Sequence, residues 1–426
     1  MKKINFNIFL FILFVYCFSC LTIIGSFKVK SSISVLENRA LQRRPALTLN
    51  SIFNGSYFKE YENYFSDNFI FRDNFVFISN NIKKIKGFTN KDGASIVQHK
   101  GENIAEIPKK KIEPKQEIQD NDILKNKEET QENDKSGSFI GELLILNDTA
   151  MTVFHFYQRN CLKYSKIINQ FTEKSARNIN IYSLLVPTQI EFISSSKYKN
   201  ISDSQKNAID FINKHFNNKV KVVDAYLALK QNRDKYIYFR TDHHWTALGA
   251  YYAYTAFTIS SGVKSIPIEQ YKTEKVTGFL GSSYSETLNK KLEKNPDTIT
   301  LYKPFIKNDY NIFYDGPLKM NLLDMNHAEK KNKYRIFLSG DRPLGIIKTE
   351  VKNGRKILVV KDSFGNAFIP FLLPHYEEIF IVDPRQYNKN ILNLINDNGI
   401  QDVLFLNYTS AAGMPDYNEF LAELLN

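Results

Sequence analysis

Four short apolar runs, nearly uninterrupted by polar residues, mark the C-terminal two-thirds of the chain: Ile181–Val186, Lys356–Val360, Glu378–Val382 and Val403–Leu406. The first closes on Pro187 and the third on Asp383-Pro384. Between them lie stretches with helical spacing, Asn160 to Lys174, Asp203 to Phe216 and Thr246 to Ser260. Runs that lack polar alternation need cover on both faces, so this pattern predicts an α/β architecture, a parallel sheet with helices on both sides. Ligands of open parallel sheets bind beyond the carboxyl ends of the strands, which directs the search for chemistry to where each run stops.

The start of the chain reads differently. After Lys2 and Lys3 an apolar stretch runs from Ile4 to Phe27, and roughly 20 such residues suffice to span a bilayer. A cleaved signal has a shorter apolar region and a small-residue cleavage site; Gly25-Ser26 is the single candidate, and Cys20 lacks the leucine expected three residues before a lipid-attachment cysteine. The expectation is an uncleaved membrane anchor over residues 1–27. Lys28, Lys30 and Arg39 follow it, so flanking charge does not set its orientation. A long following domain translocates largely regardless of such charges, which puts the bulk of the chain outside the cytoplasm. Residues 28–100 mix helical periodicity with aromatics and predict a membrane-proximal helical segment. Residues 101–137 contain no Phe, Tyr or Trp and are dominated by charges such as Lys109-Lys110-Lys111 and Glu128-Glu129. Too little apolar surface is available there to offset ordering entropy, so a disordered tether is expected. Residues 138–426 form the remaining domain.

Composition narrows the chemistry. Of 426 residues 43% are hydrophobic and 14% aromatic, enough to build a sizeable core. Three cysteines, two of them within the first twenty residues, exclude a disulfide-stapled scaffold and a cysteine-based zinc site. A net charge of +12 favours anionic partners. Basic residues are interspersed with acidic ones and no nucleic-acid motif occurs, which argues against a nucleic-acid partner.

Two segments carry candidate chemistry. Thr241-Asp-His-His-Trp245 follows the stretch Tyr236–Phe239 and holds two of the seven histidines and the one tryptophan. Residues two apart in an extended segment share a side, so Asp242 reaches His244 while His243 faces the other way. A carboxylate on one ring nitrogen sets the tautomer and leaves the other nitrogen as a base. The plainer alternatives are an Asp that caps the following helix and histidines that fill space or bind a metal with ligands from elsewhere. Lys361-Asp-Ser-Phe-Gly-Asn-Ala367 follows the Lys356–Val360 run. A serine at such a turn exposes its hydroxyl above the sheet, where helix N-terminal amides can stabilise an oxyanion; Ser363 as a simple helix cap is the alternative. Arg385 and Asn407 follow the last two runs. Each offers donors suited to a developing negative charge, and each has a bland reading as a surface arginine or a turn asparagine. Together the four places hold the inventory of a serine acyl-transfer site.

At these residues the chain resembles a known family. Thr241–Trp245 is similar to the signature of the DHHW family, and Lys361–Phe368 resembles its second block. Glu37-Asn-Arg39 with Pro45, Asp67–Arg72, Gly340–Leu344 and Asp383–Arg385 also look like that family, so the likeness runs from about residue 35 to the C-terminus apart from the tether. The family is related to SGNH-like alginate O-acetyltransferases. That resemblance implies a permuted SGNH hydrolase-like domain over residues 138–426, with Ser363 as nucleophile, His244 as base and Asp242 as orienting carboxylate. The Gly-Asn-Asp oxyanion block of ordinary SGNH hydrolases is missing here; Asn407 is the nearest stand-in for it and Arg385 the other candidate. It also implies a catalytic domain outside the cell membrane, working beside a membrane-bound O-acyltransferase that supplies acetyl groups for a glycan acceptor, with no cofactor and no metal. The expected activity is O-acetyl transfer to an exopolysaccharide or cell-wall glycan. A carbohydrate acetyl esterase with the same triad and a non-enzymatic glycan-binding scaffold are the rivals.

Overall fold

Successive side chains of a strand point to opposite faces, so an unbroken apolar run is stable only between two layers. The computed structural model describes residues 142–314 and 316–426, with Ser138–Ile140 and short stretches between residues 33 and 69 before them. Its elements include helix α1 (Ser56–Asn68) and a three-stranded antiparallel sheet, β1 (Ser138–Ile140), β2 (Leu143–Leu146) and β3 (Thr149–Thr152). Then come α2 (Gln158–Lys174), β4 (Asn180–Val186), α3 (Gln205–Lys214), β5 (Val220–Val223), α4 (Ala225–Gln231) and α5 (Ala247–Ser261). A two-stranded ribbon of β6 (Lys272–Phe279) and β7 (Asp297–Lys303) flanks the short helix α6 (Ser282–Thr287). The chain continues through β8 (Asn308–Phe313), β9 (Pro317–Met320), β10 (Leu344–Thr349), β11 (Lys356–Lys361), α7 (Gly365–Phe368), β12 (Glu378–Val382), α8 (Ile391–Asn398), β13 (Asp402–Tyr408) and α9 (Pro415–Glu423).

The main sheet has eight strands in the order β9-β8-β10-β12-β11-β13-β4-β5. Alternate residues of its central strands divide between two cores. Ile357, Val359, Ile379, Ile381, Leu404 and Leu406 pack with Ala250, Tyr254 and Phe257 of α5 and with Phe368–Leu373. Leu358, Val360, Phe380, Val382, Val403 and Phe405 pack with Tyr164 and Phe171 of α2, Ile391 of α8 and Tyr417 of α9. Each such side chain contributes about 1.5–3 kcal/mol on burial, which is why these strands tolerate no polar interruption.

The expectation of a parallel sheet needs correction at one edge. Strands β12, β11, β13, β4 and β5 are parallel, but β10, β8 and β9 extend the sheet antiparallel. These three strands are half-buried or exposed along much of their length, so they carry no continuous apolar run to announce them. The architecture is therefore mixed α/β with a parallel centre. Among the described residues no helix is long and apolar enough to cross a membrane; the expected anchor at 1–27 and the tether at 101–137 lie outside the described residues.

Candidate active site

The Asp-His segment sits in a loop and not at the end of a strand of the main sheet. Tyr238 forms an isolated antiparallel bridge with Trp245. The Phe239 amide donates to the His244 carbonyl at 3.2 Å and the Thr246 amide to the Ile237 carbonyl at 2.9 Å, which closes residues 239–244 into a tight loop. Asp297 holds this loop from β7: its buried carboxylate accepts from the Thr241 amide (2.8 Å) and hydroxyl (2.6 Å) and from the Arg240 amide (3.0 Å). Thr246 ends the loop and caps α5, its hydroxyl accepting from the Gly249 amide at 3.3 Å.

Within the loop, His244 donates from Nδ1 to Asp242 Oδ1 at 2.5 Å, and Ser363 Oγ donates to His244 Nε2 at 2.7 Å. Ser363 thus turns its hydroxyl to the histidine and not to the α7 amides. The capping carboxylate at this turn is Asp362, which accepts from the Phe364 amide at 2.9 Å.

The second oxygen of Asp242 accepts from the Ser282 amide (2.8 Å) and hydroxyl (3.0 Å), and its first also accepts from the His244 amide at 3.0 Å. Burial by itself raises this carboxyl, but the charges of His244 and His243 and these hydrogen bonds hold it well below the ordinary carboxylate range. Gly281 makes the approach possible, since a Cβ there would lie 2.2 Å from the Asp242 Cβ. The imidazole of His244 stacks on Tyr334, with centroids 3.9 Å apart and planes 10° from parallel. Tyr334 Oη donates to the Ser363 carbonyl at 3.1 Å, and Trp245 Nε1 donates to the Phe364 carbonyl at 2.9 Å. Two consecutive carbonyls of the serine turn are therefore gripped by the residues that pack the histidine loop. The Ser363 amide has no acceptor among the described residues and stays available beside its own hydroxyl.

Burial pushes the Asp362 carboxyl up to about 6, against the Phe364 amide, Arg385 and the Tyr408 amide, which hold it down. A group raised in the folded state adds stability that is complete below its ordinary range and is lost as pH rises through the folded value. From an ordinary 3.8 to about 6 this amounts to roughly 3 kcal/mol. The Tm of the Asp362→Asn protein is expected to fall less than that of the parent between about pH 4 and pH 7. Parallel melting curves across that range would reject the assignment.

The structure does not bring all the expected residues to Ser363 in the same way. Asn407 is buried on the α2 and α9 side of the sheet, accepting from Tyr164 Oη at 2.8 Å and donating to Tyr417 Oη and Asp362. Its amide is turned inward, away from a donor role toward an oxyanion, because odd-numbered residues of β13 face that core. Arg385 is clamped by Asp383, through Nε at 2.8 Å, and by Asp341, through Nη2 at 2.9 Å. Lys361, fully buried, completes this cluster with Asp341 at 2.6 Å and Asn366 at 2.7 Å. The two cations and two carboxylates brace the serine turn through Asn366; Arg385 Nη1 alone makes no hydrogen bond among the described residues. His243 does not face away, as expected, but lies against His244 with ring centroids 3.9 Å apart. Asp242, His243 and His244 are close enough to hold a metal ion, yet both nitrogens of His244 are already engaged by Asp242 and Ser363. Tyr334, Ser282 and Asp297 carry no local motif that could have marked them in advance.

The DHHW protein family model matches residues 109–382, more than half of the chain and inclusive of both motifs. Among solved structures, a DHHW family protein from Eubacterium siraeum is 31% identical, with a TM-score of 0.64, over 68% of this chain and 99% of that one. Bacillus cereus PatB1 shares the fold at 22% identity and a TM-score of 0.54, over 67% of this chain and 99% of that one. The O-acetyltransferase domain of Pseudomonas putida AlgJ matches at 11% identity and a TM-score of 0.35, over 66% of this chain and 96% of that one, a likeness too slight to bear on activity. No curated protein matches the chain. The signature loop, the serine block and the matched span together place this chain in the DHHW family.

Proposed function

We propose that this chain is an extracytoplasmic O-acetyltransferase of permuted SGNH-like type that acylates hydroxyls of an envelope glycan. The observation that carries the reading is the hydrogen-bonded line from Asp242 through His244 to Ser363, closed across 119 residues of sequence. Ser363 Oγ attacks the donor's acetyl carbonyl as its proton passes to His244 Nε2. The oxyanion faces the Ser363 amide, and the donor's leaving group departs with the proton from His244. A sugar hydroxyl then attacks the acetyl-serine, gives its proton to His244 Nε2 and leaves as the acetate ester, while Ser363 Oγ recovers its proton. Asp242 stays ionised throughout and stabilises the imidazolium.

The choice of acetyl rests on the likeness of both motifs to the relatives of alginate O-acetyltransferases. An acidic glycan is supported by the net charge of +12 and by a pocket of about 260 Å³ beside the loop, lined by Arg233 and Lys235 with Phe192 and Tyr236; Arg240 also lines it but is ion-paired with Asp148 and Asp297. In this reading a membrane-bound O-acyltransferase supplies the acetyl group and the N-terminal segment tethers the domain to the membrane. Intact-mass spectrometry of the full chain after exposure to an activated acetyl ester is expected to show one acetyl adduct, discharged faster when a glycan acceptor is added. Discharge at the same rate by water alone would make the protein an esterase. Glycan binding with neither adduct nor turnover would make it a scaffold.

A further inference from the structure

The second histidine of the loop is held as deliberately as the first. Ser282 Oγ carries one proton and lies 3.0 Å from the ionised Asp242 Oδ2, which takes it. The 2.6 Å contact between Ser282 Oγ and His243 Nδ1 must then be His243 Nδ1–H donating to that oxygen. A neutral imidazole has a single N–H, so Nε2 carries a bare lone pair. Burial and the neighbouring His244 push this imidazole down to about 4, with Arg385 acting in the same sense and Asp242 and Asp341 opposing, so the ring is neutral at ordinary pH. Nε2 has no partner among the described residues and is not sealed from solvent. His243 is only partly buried, whereas Asp242 and His244 are buried. The two imidazoles lie 3.9 Å apart and 35° from parallel. Both Nδ1 atoms are bonded to the linked Asp242–Ser282 pair, so the two Nε2 atoms face away from it together and a second hydrogen-bond acceptor lies beside the general base.

Building on the acyl-transfer reading, we propose that His243 Nε2 accepts a hydrogen bond from a second hydroxyl of the acceptor, adjacent to the hydroxyl that attacks, so that the histidine pair selects a vicinal diol. The attacking hydroxyl gives its proton to His244, its oxygen bonds to the acetyl carbon, and the bond from that carbon to Ser363 Oγ breaks. His243 exchanges no proton in this step. Water offers no tethered second hydroxyl, so the contact favours a sugar over hydrolysis.

The test uses the full chain, an activated acetyl ester as donor, and 1,2-cyclohexanediol or cyclohexanol as acceptor. The ratio of transfer to hydrolysis is expected to be about tenfold higher for the diol, the worth of one hydrogen bond. In His243→Asn, which keeps a donor toward Ser282 but has nothing in the place of Nε2, the preference should shrink to the roughly twofold set by two hydroxyls against one. In His243→Gln, which carries an acceptor near that place, it should be largely retained. A parent without diol preference, an Asn variant that keeps it, or equal loss in both variants overturns the proposal. A parent that forms no acyl-enzyme overturns the acyl-transfer reading and this one with it; the other failures leave that reading standing.

Discussion

Replacing Ser363 with Ala is expected to abolish the acetyl adduct and to lower transfer by about 10⁴-fold or more, with the fold unchanged. The loss is large because no other nucleophile takes the place of Oγ at His244 Nε2. The fold is spared because the turn is held by its backbone. Phe364 donates to Asp362, and the carbonyls of Ser363 and Phe364 are held by Tyr334 and Trp245, none of which involves Oγ. Stability should therefore stay within about 1 kcal/mol of the parent. Intact mass and thermal melting of the two proteins check both halves. An adduct that persists in the alanine protein would place the nucleophile elsewhere.

Asp242→Asn should be nearly as damaging to turnover, about 10⁴-fold, and should also destabilise the protein. The carboxylate accepts from the amide and Nδ1 of His244 at one oxygen and from the amide and hydroxyl of Ser282 at the other. An asparagine must set its NH₂ against one of these donor pairs, whichever way the amide is turned. Facing His244, it forces the proton to Nε2 and removes the base; facing Ser282, it meets a backbone N–H that cannot reverse. Each mismatched buried donor costs about 1–3 kcal/mol, so Tm should fall by several degrees. Parent-like turnover in this variant would remove Asp242 from the relay.

The parts of the site that were legible in advance are local. The strands β4, β11, β12 and β13 announce themselves because a strand buried on both faces must be apolar throughout. Asp242 and His244 pair across two residues, and Ser363 follows its strand directly, so both segments could be recognised without the fold. The antiparallel edge was not legible, since a half-buried strand needs only partial apolar character. The mistaken placement of His243 has a definite cause: period-two reasoning holds for a strand, and residues 239–244 form a loop. Arg385 and Asn407 do follow their strands, but what their side chains meet depends on distant partners, Asp341 in one case and Tyr164 in the other.

What the sequence determined by itself was the layered α/β core and the identity of the nucleophile, base and carboxylate candidates, because periodicity and short-range spacing are written in consecutive residues. The tertiary structure decided the rest. It brought His244 to Ser363, laid Tyr334 under the imidazole, set Ser282 against Asp242 and turned His243 beside His244. The first three contacts join residues 119, 90 and 40 positions apart, and the geometry of all four follows from how the loops are packed against the sheet, which no local pattern encodes.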